Sequence, residues 1–127
     1  MEKLAKIENA TLEIQERGIL NFWIHVKYED GLNQGVGGIS LDRYCEKTKS
    51  RIGTSYGCEV IRSLLIELGV NDFSEMKGKK IWVIGEGDGF QFKPAGIRSL
   101  LVDNKNSSPV IFAEIMDMFD DNGEKVI

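Results

Sequence analysis

Asn9-Ala10-Thr11-Leu12-Glu13-Ile14-Gln15, followed by Glu16-Arg17-Gly18 and then Leu20-Asn21-Phe22-Trp23-Ile24-His25-Val26-Lys27-Tyr28, is the stretch that decides the fold. Ala10, Leu12 and Ile14 alternate with polar residues. Leu20, Phe22, Ile24, Val26 and Tyr28 do the same after the glycine turn, and a period of two marks half-buried strands. The pair predicts an antiparallel hairpin. Asp30-Gly31-Leu32-Asn33 then turns the chain into Gln34-Gly35-Val36-Gly37-Gly38-Ile39-Ser40-Leu41-Asp42, where Val36 and Ile39 fall on opposite parities. A bulge near Gly37-Gly38 restores the alternation. Residues 43–52 are polar without a period and read as a solvated connection.

Beyond them, Gly57, Val60, Ile61, Leu64, Leu65 and Leu68 recur at spacings of three and four, with Thr54 or Ser55 as the N-cap and Gly69 just past the end. This is an amphipathic helix. Lys80-Ile81-Trp82-Val83-Ile84 is apolar on both parities and reads as a strand covered on both faces. Gly85-Glu86-Gly87-Asp88-Gly89 breaks it, an extended Phe90-Gln91-Phe92 follows, and residues 96–103 form a last strand that Pro94 makes an edge or a bend. Ser108 and Pro109 suit the start of a second helix carrying Phe112, Ile115, Met116 and Phe119, with a frayed tail from residue 120. The expectation is one α+β domain over residues 1–127: an antiparallel sheet of about five strands, one central packed helix and a shorter C-terminal helix.

At 127 residues, a single core needs neither disulfides nor metal. Cys45 and Cys58 are too few for a disulfide scaffold and read as structural, and the lone His25 argues against a histidine metal site. The formal charge of −4 argues against broad binding to duplex DNA, while leaving room for a small anion held by local cations. No run spans a bilayer and Met1-Glu2-Lys3-Leu4-Ala5-Lys6 lacks a signal's apolar core, so a cytoplasmic protein is expected.

Arg51-Ile52-Gly53-Thr54-Ser55-Tyr56-Gly57 brings a guanidinium and two hydroxyls to a helix N-terminus, the ingredients for holding phosphate, although a simple cap with close packing at Gly57 uses the same residues. Phe90 and Phe92, or Trp82, offer aromatic faces for a base; core packing is the alternative for both phenylalanines. Arg98 supplies a further cation, and Asp103-Asn104 offers groups that read an adenine edge or ribose hydroxyls. Trp23 and His25 share an outward parity, which points to a covering subunit. No nucleophile with its base assembles from these residues, which favours a binder over an enzyme, and no cofactor is implied.

Taken in order, Lys6-Ile7-Glu8-Asn9-Ala10-Thr11-Leu12-Glu13-Ile14, Arg17-Gly18-Ile19-Leu20, the glycine strand of residues 34–42, Gly53-Thr54-Ser55-Tyr56-Gly57-Cys58-Glu59-Val60-Ile61-Arg62 and Lys77-Gly78-Lys79-Lys80 resemble a bacteriophage family, the first-described Thoeris anti-defence sponges. The resemblance covers residues 6–109. It implies a host-cytoplasmic protein that sequesters cyclic ADP-ribose isomers, glycocyclic ADP-ribose above all, without degrading them, so that the signal of TIR-domain enzymes never reaches its effector. It further implies dimers assembling to hexamers, ligand near a subunit interface and, in some members, cyclic trinucleotides at separate sites. Arg51, Gly53, Thr54 and Asp103 match the family's pattern, whereas residues 104–108 lack the aromatic, lysine-rich stretch common there. Two rival expectations remain beside it: a hydrolase of an ADP-ribose derivative, and a protein that blocks a host factor through the Trp23 and His25 face.

Overall fold

The computed structural model describes residues 1–100, 108–120 and 125–126. Strand β1 (Glu2–Ile14) pairs with β2 (Leu20–Tyr28) in the expected hairpin, and β3 (Asn33–Ser40) extends it. A small antiparallel pair, β4 (Asp42–Cys45) and β5 (Ser50–Gly53), leads into helix α1 (Ser55–Leu68). Strands β6 (Lys80–Glu86), β7 (Lys93–Ser99) and β8 (Val110–Ile111) and helix α2 (Phe112–Asp117) complete the chain. The main sheet has six strands in the order β3-β2-β1-β6-β7-β8, all antiparallel, with β4-β5 as a separate two-stranded sheet. The α+β expectation holds, with one more strand than foreseen and a hairpin where residues 43–52 read as a connection.

Both helices pack on one face of the sheet. Ile7, Phe22, Ile24, Val26, Val36, Ile81, Val83 and Ile97 form a core with Val60, Leu64 and Leu68 of α1 and Phe112 and Ile115 of α2. Phe22 sits at its centre, edge-on to Phe112 at 5.6 Å. Thr54 caps α1 by accepting the Gly57 N–H, and Gly69 closes it in the left-handed region at φ 67°. A side chain at Gly57 would run into the Leu41 carbonyl, so the glycine is what lets the helix approach the chain leaving β3.

The foreseen bulge is present: Asn21 pairs with Ser40 and Trp23 with Gly37, one residue more on β3 than on β2. Gly38, at φ 70°, lies beneath the Trp23 ring, which leaves no room for a side chain. Four details differ from expectation. β6 is buried on one face only, because Trp82 and Ile84 look to the side that carries no helix. Phe90 and Gln91 belong to a 3-10 turn, Gly89–Gln91. Val110 and Ile111 pair with β7, so α2 starts after Ile111 rather than at Pro109. Instead of fraying, the end of the described chain folds back, with Phe119 bridging Lys125 and the Val126 N–H bonded to the Met118 carbonyl at 2.8 Å.

Candidate functional site

Arg51, Gly53, Thr54 and Ser55 come together at the start of α1, where the amides of Ser55 and Tyr56 precede the first intrahelical bond. The Arg51 and Thr54 side chains are turned onto groups of the fold itself, while Ser55 is exposed. Arg51 donates Nε at 3.0 Å and Nη2 at 2.7 Å to Asp42 Oδ1, and Nη2 also reaches the Ser40 hydroxyl at 3.2 Å. Asp42, only 7% exposed, takes the Leu20 N–H at 3.0 Å on its other oxygen. Burial pushes this carboxyl up, but Arg51, Leu20 and Ser40 outweigh it and hold it below the usual range. The Thr54 hydroxyl donates to the Leu41 carbonyl at 2.7 Å while accepting the cap bond, so its hydrogen-bonding capacity is engaged inside the fold.

The aromatic candidates separate. Phe92 is a core residue, 2% exposed, edge-on to Tyr28 at 6.1 Å and beneath the Lys3 ammonium at 4.9 Å; its role in base stacking gives way to packing. Phe90 is 93% exposed on the glycine turn, beside a cleft of about 170 Å³ lined by Lys3, Tyr28, Asn33 and Gln34. Tyr28 is buried and bonded to Gln34 at 2.5 Å, and its burial, with Asp30 nearby, pushes the phenol up to about 12. Asp103 and Asn104 lie outside the described residues. Their flanks are fixed, however, since the buried Glu67 of α1 accepts the Ser99 N–H at 2.8 Å and the Ser108 N–H at 2.9 Å.

On the open face of the sheet, Arg98 lies over Trp82 at 5.9 Å and forks onto Glu2, Nε at 3.1 Å and Nη2 at 2.5 Å. The strand pairing explains the meeting: Trp82 sits opposite both Arg98 and Leu4. One rung further on the same face, Lys80 pairs with Lys6 and Lys6 with Lys27. Sequence reasoning missed these lysines. Their outward parity was visible, but only the register makes them neighbours. Trp23, half-buried on the glycines of β3, stacks on His25 at 6.0 Å and 17° between planes.

The candidate residues therefore form three groups. The α1 start lies by Leu20, at one end of β2, and Phe90 lies by Tyr28, at the other, about 27 Å away at about 3.4 Å per residue. Trp82 and Arg98 occupy the open face. Cys45 is half-buried and Cys58 exposed, both free, so Cys58 has no place in the core. Among the described residues no cluster of His, Cys, Asp or Glu could hold a metal, and no helix is long and apolar enough to cross a membrane. No family model matches the chain, and neither a curated protein nor a solved structure does.

Proposed function

We propose that the protein is a sponge for cyclic ADP-ribose isomers, glycocyclic ADP-ribose first among them, which it binds and returns chemically intact, so that TIR-domain signalling of Thoeris defence fails in the cytoplasm of a phage-infected host. The observation that carries the reading is the pairing of Trp82 with Arg98 on an open, half-apolar sheet face. An indole on an open face is a surface on which a purine stacks, and the guanidinium beside it, paired with the exposed Glu2, would meet a phosphate by exchanging that carboxylate for it. On this reading the ligand is held near the junction of two subunits, in a dimer that assembles further to a hexamer. Cyclic trinucleotides would occupy separate sites.

Sequestration at stoichiometric amounts requires a nanomolar dissociation constant, about −12 kcal/mol. Calorimetry of the full chain with glycocyclic ADP-ribose, followed by heat release and mass spectrometry, tests this. Tight binding with the ligand recovered at its original mass is expected. An altered mass would replace the sponge with a hydrolase, and no heat at micromolar concentration would leave direct blockade of a host protein.

A further inference from the structure

We infer that Lys27, Lys6 and Lys80 form a binding row for the diphosphate group of a small ligand. Cross-strand pairing sets Lys6 directly between the other two, so three adjacent strands carry one lysine each at the same level of the open face, over about 10 Å. All three are exposed, and among the described residues none is in an ion pair. Asn33 continues the row on β3, opposite Lys27. The row borders a hollow of about 220 Å³ lined by Leu4, Lys6, Lys27, Tyr28, Glu29 and Lys80.

Like charges directly opposite on a sheet destabilise it. Three in succession, on a chain whose net charge is −4, concentrate a local positive field that a bound anion relieves. The anion's size is bounded by the neighbours. Glu29 lines the same hollow and the exposed Glu8 follows at the bulge after Ile7, so a polyanionic strand crossing the face would meet carboxylates on leaving the lysines. A compact diphosphate spans only the three lysines and need not cross Glu8, with Glu29 left at its edge. Trp82 stands one rung away on the same face, within reach of a base attached to that diphosphate. The site for a bare diphosphate stands on the register alone; its use by a cyclic ADP-ribose rests on the sponge reading.

The test compares the full chain with its Lys6→Glu variant, in thermal unfolding with and without inorganic pyrophosphate at constant ionic strength. Pyrophosphate should raise the unfolding temperature of the native sequence. Lys6→Glu, which places a carboxylate between two ammonium groups, should unfold at a higher temperature without ligand and gain nothing from pyrophosphate. Equal responses of the two proteins, an equal response of the native chain to orthophosphate, or far tighter binding of a single-stranded oligonucleotide than of pyrophosphate would each overturn the diphosphate row. Calorimetry with glycocyclic ADP-ribose separates the two readings. At least tenfold weaker binding by Lys6→Glu is expected. Equal affinity would keep the sponge and remove the row from its binding site, whereas a pyrophosphate response with no heat from the cyclic nucleotide would keep the row and remove the sponge.

Discussion

The start of α1 and the open face of the sheet hold similar inventories of polar and cationic groups, but the two regions direct them differently. At the helix start, Arg51, Thr54 and Ser40 face Asp42 and the Leu41 carbonyl, and each donor meets an acceptor from its own chain. On the open face, Lys6, Lys27 and Lys80 face one another and solvent. A guanidinium beside a helix cap is read from sequence as a phosphate site, yet one buried carboxylate nearby turns the same residues into a structural clasp joining β2, β4, β5 and α1. An unneutralised rung of ammonium groups has no such internal use.

If the helix start is a clasp, damage there should cost stability first. Gly57→Val, which drives a branched side chain into the Leu41 carbonyl, should lower stability by about 3 kcal/mol in denaturant unfolding. A loss under 1 kcal/mol would mean that α1 can move away from the sheet. Asp42→Asn should cost about 2 kcal/mol, since it removes a buried acceptor of charged and backbone bonds. Its pH signature follows from the lowered carboxyl. The contribution is complete above the unfolded value near 3.9 and lost as pH falls through the folded one, so the native chain and Asp42→Asn should converge in stability only in acid.

The Phe90 end of the sheet is tested by Tyr28. With its phenol raised to about 12, this residue stabilises the fold fully below the unfolded value near 10 and loses that contribution as pH climbs from there through 12. Tyr28→Phe should flatten the alkaline limb of the stability profile; an unchanged limb would mean that Tyr28 ionises freely in the fold. The open face should show the opposite behaviour from the clasp. Trp82→Ala is expected to leave unfolding nearly unchanged while weakening glycocyclic ADP-ribose at least tenfold, the worth of one stacked base.

Much of the fold is legible because periodicity reports burial. The alternation of residues 20–28 gave β2, and the three-and-four spacing of residues 57–68 gave α1 with both its caps. The β4-β5 pair escaped because it buries little beyond Asp42, so no alternation is imposed on residues 43–52. β8 escaped because two residues are too few to carry a period, and Pro109 made a helix start the natural reading. The site was less legible. Trp82 and Arg98 were singled out separately, and only the β6-β7 register brings them together. Register likewise makes the lysine row. Glu67, sitting among the apolar residues of α1, gave no sequence signal of the two backbone amides it holds.

Amide and indole chemical-shift mapping of the full chain during titration with glycocyclic ADP-ribose separates the two regions most directly. The largest changes should fall on the Trp82 indole and on Lys6, Lys27 and Lys80, with the first turn of α1 left quiet. Changes concentrated at Ser55, Tyr56 and Gly57 over a silent sheet face would contradict this, and would return the ligand to the helix start.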